Sequence, residues 1–214
     1  MSNRPTLLIL ALLAATAPAA CKLVKNPDPA ELAAAAAAPQ GGAAGVPEMW
    51  TDRVLPHMET AAVDLAELRP AIAAGLDAAG EAHGSRARSE GAPWNFPVRT
   101  TGTILAANTE SRAATAEIDV DGDGTADATV QLGPVIRGTT LRDVLPFIDF
   151  TAYRDQIEFA ELARGLNAQA YETALADIPR EGLEGREITV VGAFTLKSAA
   201  DPVLITPVAV ELGQ

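Results

Sequence analysis

The chain has 214 residues, with 16 Lys and Arg against 28 Asp and Glu, for a formal net charge of −12. Such a balance excludes a body that binds nucleic acid or adheres to anionic lipid by charge. One cysteine excludes an internal disulfide, so packing, alone or with a metal, must hold the fold.

Arg4 precedes an apolar run over residues 7–15, and small residues lead through Ala19 and Ala20 to Cys21. This is the order of a secretory signal. The run is shorter than the roughly 20 residues a membrane span needs. A small-residue ending followed by Cys resembles a bacterial lipoprotein signal, whose cysteine becomes the lipid-bearing N-terminus. Pro18 departs from that pattern, which usually has Leu or a similar residue three positions before the cysteine. Two readings stand: lipidation of Cys21, or a plain signal cut near Ala20 that leaves a free thiol. The expectation is lipidation, with residues 1–20 as the signal peptide and the membrane as the lipid's partner. Lys22 leans the anchor toward the outer membrane, because Asp at that place favours inner-membrane retention in many Gram-negative bacteria.

Residues 21–46 read as a flexible tether. Asn26-Pro27-Asp28-Pro29 and Pro39-Gln40-Gly41-Gly42 break regular structure on either side of the alanine run 33–38. Residues 47–92 read as a helical segment. Pro47 and Glu48 suit a helix start, and Trp50, Val54, Met58, Ala61, Ala62, Leu65 and Leu68 recur at helical spacing. Pro56 and Pro70 are expected to kink or split it, and Gly80 to end it.

From Trp94 the pattern changes to strand. Residues 98–107, 113–120 and 126–132 are rich in β-formers or alternate, and Asp121-Gly122-Asp123-Gly124 marks a turn between the last two. Thr139 or Thr140 starts a short helix near Leu141. Residues 151–176 form the principal helix, with Ile157, Ala160, Leu162, Ala163, Leu166, Ala170 and Ala174 on its apolar face. Residues 187–196 and 203–212 are the last two strands. The order βββαββ predicts an α+β domain over 93–214, an OB-like five-stranded antiparallel barrel, with the helical segment before it. An antiparallel sheet with one packed helix has the same element order.

Three constellations bear on chemistry. Asp119, Asp121, Asp123 and Asp127, with the Thr125 carbonyl and Gly124 at the sharp turn, match the first part of a calcium loop. Val130 stands where an EF-hand has its bidentate Glu, and the flanks are strands. The loop is therefore closer to the calcium hairpins of integrin-type repeats, and a solvated Asp-Gly turn is the alternative. Arg137, Gly138, Arg142 and Asp143 surround a helix start that suits a carboxylate or sugar, or serve only as cap and ion pair. Trp94 and Asn95 pair an aromatic with an amide, as sugar sites do, or plug the end of the barrel. His57 and His83 have no Ser or Cys nucleophile motif near them, and there is no zinc pair or phosphate loop. A non-enzymatic protein with no required cofactor is expected.

The chain resembles the periplasmic lipoproteins grouped as domain of unknown function 2291. The resemblance is carried by Cys21-Lys22, Trp50 with Val54-Leu55-Pro56, Pro93-Trp94-Asn95-Phe96, the run 133–143, Gln156 to Ala160, Leu166-Asn167, Gly192-Ala193-Phe194 and Ile205 to Val208. It implies a lipid-anchored periplasmic protein whose genes often neighbour those of sugar-uptake transporters, so ABC-transporter components are the partner it suggests. It supplies no catalytic residues. The expected role is an accessory or binding module, with a small-ligand receptor or a calcium-stabilised structural module as alternatives.

Overall fold

A computed structural model describes residues 43–87, 89 and 91–213. The signal segment, Cys21 and most of the expected tether lie outside the described residues. The last part of that tether belongs to the folded body: Ala43–Gly45 is a 3-10 turn, and Val46 is buried at the start of helix α1, Val46–Met49.

A π-helical stretch, Trp50–Val54, follows α1 and leads into α2, Leu55–Ala61. Pro56 does not split this run. It occupies the first turn of α2, and its missing N–H falls where the Leu55 N–H bonds five residues back to Trp50 O. The wider turn gives the ring the room that a regular α-turn denies it. Ala62 turns extended, and Val63–Asp64 forms β1. Asp64 then caps α3, Leu65–Ala74, by accepting from Ala66 N at 2.8 Å. Pro70 lies inside α3, and α4 spans Leu76–His83. Gly80 does not end the helix. It sits under the Trp94 indole, where an added Cβ would lie 2.1 Å from a ring carbon.

The sheet strands are β2 (Trp94–Asn108), β3 (Thr115–Asp119), β4 (Ala128–Gln131), β5 (Glu187–Leu196) and β6 (Leu204–Leu212). The expected five antiparallel strands are corrected to a six-stranded mixed sheet in the order β1-β2-β3-β4-β6-β5. β1 runs parallel to β2, and β4 parallel to β6. The long β2 also pairs antiparallel with β5, from Trp94↔Leu196 to Thr103↔Glu187. Gly102 and Gly192 lie where strands cross closely; an added Cβ would meet Asp119 O and Thr206 O, each at 2.5 Å.

Between β4 and β5 lie the short helix α5 (Thr140–Asp143), a 3-10 turn (Phe150–Ala152), α6 (Gln156–Ala170) and a second π-helical stretch, Tyr171–Leu175. Asp155 caps α6 through Ile157 N and Glu158 N, and Leu162, Ala163, Leu166 and Ala170 form its buried face. Ile157 departs from the expected face and is 68% exposed. Two apolar clusters form the core. One joins Leu65, Leu68 and Ile72 to Phe96, Ile118, Val190 and Phe194; the other joins Val46, Trp50 and Met58 to Leu145, Leu162, Leu166 and Val208. The helical residues 47–83 therefore share both clusters with the strands.

Candidate functional site

The chemistry-bearing side chains gather where the loop after α4, the start of β2 and the α5–α6 connection meet. Ser85 and Asn95 exchange backbone hydrogen bonds of 2.8 Å. Asn95 is 2% exposed, so its amide needs partners. Its Oδ1 accepts from Thr195 Oγ1 at 2.7 Å, and the Thr195 and Thr140 hydroxyls lie 2.9 Å apart. Ser85 Oγ donates to Asp143 O at 2.9 Å. The network ties α5 to β2 and β5.

Gly138 takes a φ of +88° just before α5, a conformation that glycine adopts without strain. Thr139 does not cap the helix backbone; its hydroxyl donates to Asp143 Oδ2 at 2.6 Å. Arg142 Nε donates to Asp143 Oδ1 at 2.7 Å, and Nη1 to Phe159 O at 3.3 Å. The guanidinium lies 3.8 Å from the centre of the Phe159 ring. Phe150 meets that ring edge-on at 5.2 Å, and Tyr153 tilts against it at 5.3 Å. Burial pushes the Tyr153 phenol above its ordinary pKa; Glu158 adds to the shift, and Arg53 and Arg142 oppose it. Nearby, Arg53 stacks over Phe147 at 4.0 Å and His57 meets the same ring edge-on at 5.9 Å. Burial lowers the His57 pKa.

These groups border a cleft of about 520 Å³ whose walls include Asn95, Arg142, Asp143, Phe150, Phe159 and Arg86. Of the ligand residues expected from sequence, the cleft brings together Asn95, Arg142 and Asp143. Trp94 is not in its wall. The indole is 7% exposed, donates to Asp77 Oδ1 at 2.8 Å and carries Arg86 over its face at 4.2 Å. Arg137 is also outside it. Its side chain is exposed, while its backbone is held by the buried Gln131: Arg137 N donates to Oε1 at 2.8 Å, and Nε2 donates to Arg137 O at 3.2 Å. Phe150, Phe159 and Ser85 were missed as site residues, since no local motif marks them; Phe150 stands out only as a large apolar residue 46% exposed.

The acidic turn is built differently. Carboxylate oxygens of Asp119, Asp121 and Asp127 lie within 4.8 Å of one another, and Asp123 is not in that group; it accepts from Thr125 N at 2.7 Å. Asp119 is 6% exposed and accepts from Gly122 N at 2.7 Å and Gly124 N at 2.8 Å. Asp127 accepts from Val120 N at 2.7 Å and pairs with Arg69 of α3. The carboxylates thus fold the turn on themselves and tie it to a helix.

A crystal structure of an OB-fold protein from Thermotoga maritima is similar, with a TM-score of 0.62 at 15% identity over 79% of this chain and 97% of that one. That likeness speaks for the fold alone. Residues 10–211 match the family described as predicted periplasmic lipoprotein, domain of unknown function 2291, and the chain belongs to it. The description fits a periplasmic chain held to a membrane by lipid. No curated protein matches the chain. Among the described residues, no helix is long and apolar enough to cross a membrane.

Proposed function

We propose that the chain is a non-enzymatic, lipid-anchored periplasmic binding module, built on an OB-like barrel, whose ligand enters the cleft between Asn95 and Phe150. One observation carries this reading. Arg142, stacked on Phe159 and paired with Asp143, shares a cleft with the exposed Phe150 ring and the buried Asn95 amide. Apolar walls with a few fixed polar groups are the ordinary make-up of a small-ligand site. The charges in the wall balance, with Arg86 and Arg142 against Asp143 and Asp149, which favours a neutral sugar over a carboxylate. A sugar ligand would connect the protein to carbohydrate ABC-transport components as an accessory or receptor. Thermal-shift titration of the full chain with neutral monosaccharides and small carboxylates tests it. A saturable sugar shift that disappears in Phe150→Ala supports the reading; no shift from any of these solutes refutes it.

A second reading rests on the three carboxylates within 4.8 Å of one another. Calcium bridging Asp119, Asp121 and Asp127 would stiffen the β3–β4 turn without taking part in chemistry. Calorimetry with and without calcium, on the native chain and on Asp121→Ala, decides it: an unchanged melting temperature eliminates the ion.

A further inference from the structure

An ion pair stands in the wall of the cleft, and both of its members are fixed. Asp143 has its two oxygens committed. Oδ2 accepts from Thr139 Oγ1 at 2.6 Å, and Oδ1 accepts from Arg142 Nε at 2.7 Å. Arg142 Nη2 also lies 2.7 Å from Oδ1. Thr139 is not in the wall, and Gly138 delivers it at a φ of +88°. It holds the carboxylate from outside the cleft, so the negative charge stays in place when a solute enters.

The guanidinium is held on a second side. Nη1 donates to Phe159 O at 3.3 Å, and the group lies 3.8 Å over the Phe159 ring. A guanidinium has five N–H groups. Nε, one N–H of Nη1 and the Nη2 N–H beside Asp143 are engaged, so one on each Nη has no acceptor among the described residues. Two such donors suit a pair of oxygens. A carboxylate presents that pair with a charge, and two neighbouring sugar hydroxyls present it without one. Charge decides between them. A carboxylate approaching Arg142 meets Asp143, already bonded to the same guanidinium, and like charges this close disfavour it. The other arginine of the wall, Arg86, is matched outside it by Asp77 at 3.3 Å.

We infer that Asp143 is the specificity-determining residue of the cleft: by neutralising Arg142 it admits sugars with neighbouring hydroxyls and turns away their carboxylate counterparts. This rests on the reading of the cleft as a sugar site. Asp143→Asn removes the charge and keeps the frame. Oδ1 still accepts from Arg142, and the new amide donates to Thr139 Oγ1. The cleft of that variant prefers a sugar acid.

Isothermal titration calorimetry of the full chain gives the test, with glucose and galactose against glucuronate and galacturonate. In Asp143→Asn the affinity for each sugar acid relative to its neutral sugar rises about tenfold, as a charge-assisted hydrogen bond in place of a neutral one requires. In Arg142→Gln/Asp143→Asn the gain disappears. Arg142→Gln is the mirror variant: with Asp143 uncompensated, glucosamine gains on glucose to a similar extent. An unchanged ratio in either single variant, or a sugar-acid gain that survives in the double variant, overturns the inference. The sugar reading fails separately. If the native chain binds neither neutral sugar, that reading falls, while a sugar acid bound only by Asp143→Asn still upholds the charge filter. No binding of any of these solutes by any of the proteins overturns both.

Discussion

Gln131 offers a quantitative test of how the loop after β4 is held. Its side chain is 2% exposed and makes three hydrogen bonds: from Arg137 N at 2.8 Å, to Arg137 O at 3.2 Å and to Thr206 Oγ1 at 2.8 Å. Gln131→Leu keeps the volume and removes all three. At about 1 kcal/mol net for each bond, the loss is about 3 kcal/mol. A domain of this size changes Tm by about 2–4 °C per kcal/mol, so the midpoint should fall by about 6–12 °C. Thr206 is 1% exposed and is left without its donor, whereas the Arg137 backbone can turn to water. Gln131→Leu/Thr206→Val should therefore be about 1 kcal/mol less destabilised than the sum of the single changes. Urea unfolding of the four proteins completes the cycle. Hydrogen exchange adds a local readout: the Arg137 amide loses protection in Gln131→Leu, while the Val135 amide, bonded to Arg112 O at 3.0 Å, keeps it. Strict additivity, or a single-variant loss below about 1 kcal/mol, would refute the clamp.

Three further outcomes are expected. Gly133→Ala should cost about 2 kcal/mol, because its Cβ would fall 2.1 Å from Arg112 O, a backbone atom that cannot swing aside; a melting temperature equal to wild type would contradict the close approach. Burial lowers the His57 pKa from 6.5, so the unfolded chain takes up that proton first as pH falls, and stability decreases on the acid side of that value. His57→Gln should flatten that part of the Tm–pH curve, and parallel curves would reject this source. Asp155 is held below its ordinary pKa of 3.8, chiefly by the Glu158 N–H, so its cap stabilises α6 above that pH and is lost as pH falls through the depressed value. Asp155→Ala should melt earlier at neutral pH and converge with wild type in strong acid; a constant difference at all pH values would exclude the cap.

The two C-terminal strands were legible because uninterrupted β-formers flank a breaker-rich turn; residues 187–196 are found as a strand, and 203–212 begins only one residue later, at Leu204. The acidic turn was legible in its Asp-Gly pairs, with Gly122 and Gly124 at φ of +80° and +82°. β1 was not, because two residues paired in parallel leave no periodicity to read; Val63 and Asp64 lay hidden in a helical pattern. Neither π-stretch was foreseen, since one extra residue in a turn leaves apolar spacing almost intact. Ile157 was misplaced because it stands next to the cap, where the helix has not yet settled onto the core. The cleft was legible only in part. Asn95, Arg142 and Asp143 stood in readable motifs, but Phe150 and Phe159 reach it through a tertiary stack of rings that spacing does not encode. Trp94 misled because an aromatic beside an amide looks the same whether the ring faces a ligand or, as here, a glycine of the preceding helix.

The pairing of β2 with β5 has a consequence for the order of events in the chain's life. Ten successive residues of β2 find their partners roughly ninety positions further along, a separation that makes closure slow compared with local helix formation. Until Glu187–Leu196 has emerged, that flank of β2 has no neighbour, and the Phe96–Phe194 stack, with centroids 5.3 Å apart, cannot form. The β2–β5 pairing therefore belongs to the late, slow part of folding, after the helices on either side of it have had time to form.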